Sequence, residues 1–328
     1  MRTTMVPNLG REISLVGLGT WQLGGDWATV GDDAAQEVLA AAADAGTRLF
    51  DTADVYGDGR SEKAIGRFLA GRADRADFTV ITKMGRRAEP HEPAAYTLDA
   101  FRAWTDRSRE NLGVETLDLV QLHCPPTAVY GDERVYDDLR TLQAEGRIAR
   151  WGVSVELVDE ALAALEQPDL ATIQIIVNIF RRKPLERVLP LAAERGVGII
   201  ARLPLASGLL SGKYDEHTTF APEDHRTWNR DGSKMNIGET FSGIPFEVGV
   251  AAAREVAALT PAGWTTAQMA LGWLAQVGVA TMIPGASRPS QAVSNAAAAE
   301  MPALPEETMR ALEDIYDRHC RRHVHDVF

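Results

Sequence analysis

Asp51, Tyr56, Lys83 and His123 stand where a chain of this pattern could reduce a carbonyl group. Each follows a short apolar or β-branched run. Arg48–Phe50 leads to Asp51 and, past a turn containing Asp54, to Tyr56; Phe78–Thr82 leads to Lys83; Leu117–Leu122 leads to His123. Such runs read as strands, and a parallel α/β barrel places its chemistry at the carboxyl ends of its strands. Turning a carbonyl into an alcohol takes a hydride and a proton. A phenol with an ordinary pKa of about 10 is protonated at neutral pH and can hand over its proton as charge develops on the carbonyl oxygen. A Lys83 ammonium nearby is expected to stabilise the phenolate and lower the pKa of Tyr56. Asp51 is expected to pair with Lys83 and orient it, and His123 to donate a hydrogen bond that polarises the carbonyl.

The elements that must position these groups alternate along the chain. Strands are expected near Leu15–Leu18, Arg48–Phe50, Phe78–Ile81, Leu117–Gln121, Ala149–Val153, Thr172–Ile176, Gly198–Ala201 and Ala280–Ile283. Amphipathic helices are expected near Asp33–Ala45, Ser61–Leu69, Thr97–Leu112, Glu133–Ala144, Glu156–Leu165, Leu185–Glu194, Thr265–Val277 and Pro289–Ala299, with Gly46, Gly113, Gly146 and Gly196 as C-terminal stops. Eight alternations predict a single (β/α)8 TIM barrel over residues 1–328, a length suited to a fold that needs roughly 250 residues plus insertions. Thr3–Ile13 reads as an N-terminal β-hairpin beneath it, Asp215–Glu247 as a long polar lid, and Leu304–Asp317 as an extra C-terminal helix. A doubly wound nucleotide-binding sheet is the competing fold. Gly17–Trp21 imitates its fingerprint but lacks the third glycine, and Leu23-Gly-Gly-Asp26 follows where the helix should open.

The net charge of −12 disfavours nucleic acid as a partner. Only two cysteines occur, Cys124 and Cys320, which gives no disulfide framework and points to a reducing cytoplasm. No run is apolar and long enough for a signal peptide or a membrane span. His319 and His323 have helical spacing for a metal but no carboxylate-rich cage, so no metal site is expected.

Taken jointly, GLGTW at Gly17–Trp21, FDTADVY at Phe50–Tyr56, Thr82-Lys83, Leu122-His123, GVS at Gly152–Ser154, Gln174, PLASG at Pro204–Gly208 with Gly212-Lys213, and IPGASR at Ile283–Arg288 closely resemble the aldo-keto reductase superfamily. The resemblance covers nearly the whole chain and gives the four polar residues the same four roles. It implies a nicotinamide cofactor, NADPH in preference to NADH. Gly19, Thr20 and Trp21 fall on the matching first-strand motif. Ser154 and Gln174 would meet the carboxamide, although Val155 stands where the family usually has asparagine. Leu205, Gly208, Leu210 and Lys213 match the pyrophosphate loop. Ser287, Arg288, Gln291 and Asn295 would surround the 2′-phosphate and adenine, with Ser294 in place of a frequent glutamate. Arg202 replaces an aromatic residue that stacks on the nicotinamide; the alternative is that Arg202 turns away to pair with a lid carboxylate such as Asp215 or Glu216.

Trp21, Trp27, Val55 and Trp228 are expected to wall the substrate pocket. The resemblance implies reduction of an aldehyde or ketone. A sugar or alcohol dehydrogenase running oxidatively and a cofactor-binding regulatory subunit like those of potassium channels remain open. A metal-dependent barrel hydrolase lacks its His-x-His after the first strand.

Overall fold

In the computed structural model, which describes residues 1–25 and 30–328, β1 (Thr3–Val6) and β2 (Arg11–Ser14) form an antiparallel hairpin. Among the described residues, eight further strands make one parallel sheet in chain order: β3 (Leu18–Gly19), β4 (Leu49–Asp51), β5 (Thr79–Met84), β6 (Leu119–His123), β7 (Trp151–Ser154), β8 (Thr172–Ile176), β9 (Gly198–Arg202) and β10 (Thr281–Met282). Parallel bridges Val16↔Met282 and Gly19↔Gly285 join the first of these strands to the last, so the sheet closes into a barrel. Closure removes the open edges that a doubly wound sheet would keep. The first and last strands are shorter than the sequence suggests, because closure holds them by isolated bridges rather than continuous ladders.

The strands are buried on both faces, as expected for a parallel sheet covered by helices. Helices at 32–44, 60–69, 98–112, 133–144, 158–164, 184–194, 266–277 and 289–297 follow the expected rhythm. Gly46, Gly113, Gly146 and Gly196 take left-handed φ values of 92°, 67°, 73° and 73° just past their helices. The barrel floor is plugged by the hairpin: Val6, Leu9 and Ile13 pack with Leu49, Ile81, Leu119 and Ile200. Asn8 Nδ2 donates to Leu170 O at 2.9 Å and so ties the hairpin turn to the floor.

Three features depart from expectation. A 13-residue helix, Phe246–Ala258, follows the lid and was not anticipated, because its Ala/Val-rich face follows directly on a stretch of loop composition. The lid itself is ordered by a short helix at His225–Trp228 and one-turn elements at Ile237–Glu239 and Phe241–Gly243. The C-terminal helix, Glu306–Ile315, continues through a wide turn at Tyr316–Cys320 into Arg321–Val324, and the Phe328 ring then stacks 3.3 Å from the Arg181 guanidinium carbon.

Candidate active site

Inside the barrel a layer of polar side chains lies beneath the strand ends. Gln121 Nε2 donates to Thr172 Oγ1 at 2.9 Å, and Gln174 Nε2 donates to Gln121 Oε1 at 3.0 Å. Gly152 makes room for it, since a Cβ there would lie 2.3 Å from Thr172 Oγ1. Above this layer Gln174 Nε2 also donates to Asp51 Oδ2 at 2.7 Å, while Asp51 Oδ1 accepts from Lys83 Nζ at 2.6 Å. Lys83 has three donors, and the other two go to Thr52 O at 2.8 Å and the Tyr56 hydroxyl oxygen at 3.3 Å. The ammonium is therefore fully satisfied without water. Because Lys83 donates to the phenol oxygen, the phenol's own proton is left to point elsewhere.

Tyr56 reaches this position through a tight turn. Gly57 has φ 58°, and a Cβ there would lie 2.0 Å from Gly24 O, so the turn needs glycine for both conformation and clearance. The Tyr56 ring meets His123 edge-on, with centroids 5.9 Å apart, and Trp21 at 6.2 Å. Burial pulls the Lys83 ammonium down, but the charges of Asp51 and Tyr56 more than offset it and hold its pKa above the ordinary value. The expected lowering at Tyr56 is not found. Burial raises the phenol, Asp51 adds to the rise, and Lys83 offsets only part, so its pKa lies above the usual value. Burial, then Arg86 and Lys83, hold His123 well below its ordinary range. The imidazole is neutral, with one N–H to donate, and its buried Nδ1 has no partner among the described residues.

A cleft of about 550 Å³ opens over these groups. Gly19, Thr20, Trp21, Asp51, Val55, Tyr56, His123, Ser154 and Gln174 line it, as do Leu205, Gly208, Lys213, Ser287 and Gln291. Strands β3, β4, β6, β7, β8 and β9 thus contribute to one space together with the 204–213 loop and the start of the last barrel helix. A model of the aldo/keto reductase family matches residues 15–317. The chain belongs to the aldo/keto reductase family. It is 29% identical to the aldo-keto reductase YhdN of Bacillus subtilis over 89% of this chain and 86% of that one. A solved glycerol dehydrogenase from Gluconobacter oxydans is 32% identical, with a TM-score of 0.78 and coverage of 97% of this chain and 95% of that one. The barrel of a Klebsiella pneumoniae aldo-keto reductase solved with NADPH overlays with a TM-score of 0.69 at 24% identity, covering 96% of each chain.

Within this aldo/keto reductase barrel several sequence expectations need correction. Arg202 does not lie free against the cleft as a stacking platform. It is buried, with ion pairs of 2.9 Å to Glu156 and 2.7 Å to Glu239. A lid carboxylate does pair with it, as the alternative expected, but through Glu239 and not Asp215 or Glu216; Glu216 pairs with Arg254 instead. Trp228 is turned away from the cleft, its indole N–H donating to Glu223 O at 2.8 Å. His225, in the same one-turn helix, lines the cleft instead and packs on Trp21 with centroids 5.1 Å apart. Trp27 lies outside the described residues. Leu210 is buried in the core, Asn295 donates to Gly285 O at 3.4 Å, and Arg288 is exposed at the N-terminus of the 289–297 helix; none of the three lines the cleft. Sequence reasoning missed Arg86, Cys124 and Glu239 as lining residues. The first two follow Lys83 and His123 closely, so the strand-end rule that found the tetrad could have found them.

Proposed function

We propose that this chain reduces an aldehyde or ketone to an alcohol with NADPH, using Tyr56 as proton donor. The reading rests on one observation above others: Lys83 spends its three hydrogen bonds on Asp51, Thr52 O and the Tyr56 oxygen, so the Tyr56 hydroxyl accepts from Lys83 and its own proton is left for a substrate. His123, neutral and beside the Tyr56 ring, is the second donor for the same carbonyl oxygen. As negative charge develops on that oxygen, Tyr56 gives up its proton. Lys83, kept charged by Asp51, then faces the phenolate. NADPH, when bound, supplies the hydride.

The residues present suit that cofactor. Both N–H groups of Gln174 are already donated, to Asp51 and Gln121, which leaves its carbonyl oxygen as acceptor for a carboxamide N–H. Ser154 offers a hydroxyl at the end of the neighbouring strand. Backbone in the 203–208 loop takes left-handed φ values at Leu203, Ala206, Ser207 and Gly208, a tight turn that brings Leu205, Ser207 and Gly208 to the cleft where a phosphate would sit. Lys213 adds charge there, and Ser287, Arg288 and Gln291 stand at a helix N-terminus suited to a second phosphate. Cofactor discrimination through Arg288 gives NADPH the advantage over NADH.

The likeness to a glycerol dehydrogenase favours a second reading, oxidation of an alcohol at the same site with Tyr56 phenolate as base. Proton transfer is reversible, and the tetrad serves either direction. We read residues 1–328 as one barrel domain acting on small molecules in the cytoplasm, with neither nucleic acid nor membrane as a partner; among the described residues no helix is long and apolar enough to cross a membrane. Tyr56→Phe is the test. It should lower the single-turnover reduction rate about 10²–10⁴-fold while fluorescence titration shows NADPH binding nearly unchanged. A variant that keeps most of its rate would remove Tyr56 as proton donor.

A further inference from the structure

Past His123 the cleft is walled by charge. Arg202 and Glu239 are committed to each other, and Glu156 to Arg202. Among the described residues Arg86 is paired with no carboxylate. It follows β5 by way of Gly85, whose φ of 103° turns the chain and whose missing Cβ would lie 2.8 Å from Tyr96 Cε1, so the Tyr96 ring fixes where Arg86 starts. The Arg86 side chain is half-buried and lines the same cleft as Tyr56 and His123. Among the described residues it has neither a hydrogen bond nor an ion pair. Of the charges acting on the His123 imidazole, that of Arg86 is the largest. A partly desolvated guanidinium that lines a cleft without a carboxylate partner is arranged to receive an oxyanion. The carboxylates that act on it, Glu239 and Glu156, already share Arg202, and Lys83 is matched by Asp51. Among the described residues Arg86 is thus an open cation beside the proton-donating pair.

We infer that Arg86 selects the substrate by binding an anionic group, a carboxylate or a phosphate, carried by the aldehyde or ketone itself. The inference rests on the reductive reading above. A group anchored at Arg86 would hold the carbonyl at a fixed reach from Tyr56 and His123, which favours short anionic carbonyl compounds over neutral ones and spends binding energy on orientation.

The experiment measures kcat/KM with NADPH for two matched pairs, 4-oxobutanoate against butanal and glyceraldehyde 3-phosphate against glyceraldehyde. Wild type, Arg86→Gln and Arg86→Lys are compared. Wild type should prefer the anionic member of at least one pair by about tenfold, and Arg86→Gln should lower kcat/KM for that member about ten- to a hundredfold more than for its neutral partner. Arg86→Lys, which keeps the charge without the fork, should fall between, and it carries the test if the glutamine variant does not fold. The responding pair tells carboxylate from phosphate. Equal losses on both members, or no anionic preference in wild type, overturn the inference. Calorimetric titration of the cofactor-loaded protein with succinate and with inorganic phosphate separates it from the reading it rests on. If no carbonyl is turned over but either anion binds wild type and not Arg86→Gln, the anion site stands and the reductive reading falls. Turnover of neutral aldehydes with no anion bound gives the reverse.

Discussion

Lys83 Nζ lies 2.6 Å from Asp51 Oδ1, with the two side chains 1% and 3% exposed. A pair so enclosed is costly to break from one side. Asp51 accepts from both Lys83 and Gln174, and an asparagine has only one oxygen to offer, so Asp51→Asn leaves one donor unpaired and the ammonium without its counter-charge. The expected loss of stability is about 3–5 kcal/mol, read from the urea midpoint. Adding Lys83→Met should return much of that stability while restoring no turnover. A double variant no more stable than Asp51→Asn would show that the pair is not the source of the loss.

The direction of the Tyr56 shift sets the pH profile. Reduction needs the phenol protonated, and burial, with help from Asp51, holds its pKa above the ordinary 10.0. The reduction rate should therefore stay level from neutral pH and decline only as pH passes that raised value. Oxidation needs the phenolate and should climb about tenfold per pH unit over the same range. Lys83 pulls the phenol down, so Lys83→Met should move both breaks to still higher pH. A kcat for reduction that breaks near about pH 8 would assign the titration to another group.

The tetrad was legible because strand-end position and chain order are local properties, and the four residues lie at or just past the ends of three strands. The direction of the Tyr56 shift was not, since it is a contest between burial and charge, and depth depends on how Trp21, His123 and the 54–59 turn close around the ring. The partners of Arg202 were equally hidden. Glu156 lies 46 residues away in sequence and Glu239 comes from the lid, and only barrel closure brings the three together. Trp228 misled because an indole suits a pocket wall; the Asp224 cap on the Arg226 N–H sets how the one-turn helix sits, with His225 lining the cleft.

Arg288 stands exposed beside Ser287 and Gln291, whose side chains are joined by a 3.1 Å hydrogen bond. If it holds the 2′-phosphate, Arg288→Ala should raise KM for NADPH about tenfold and scarcely change that for NADH. The exposure of the guanidinium adds a second signature. The NADPH advantage should shrink as salt rises toward about 0.5 M, because exposed charges are screened. Equal effects on both cofactors would place Arg288 away from the phosphate.

Arg202 carries one positive charge between two carboxylates, and this changes what it can do for a cofactor. A free guanidinium would disfavour the cationic oxidised nicotinamide. One matched by Glu156 and Glu239 presents no net positive field, so it gives the reduced form no advantage by repulsion. The single variant Arg202→Met strips the counter-charge from two buried acids and should cost about 3–5 kcal/mol. Burial already pushes Glu156 up, so in Arg202→Met/Glu239→Gln the remaining acid can take a proton, and much of the loss should be recovered. At a pH where Glu156 stays ionised, that double variant removes one charge of each sign. Titrating NADPH and NADP⁺ into it should therefore give a ratio of dissociation constants within about twofold of wild type, less than the roughly 0.5–2 kcal/mol that a stacked cation supplies. A several-fold shift of the ratio toward NADP⁺ would restore Arg202 as a sensor of the ring's redox state.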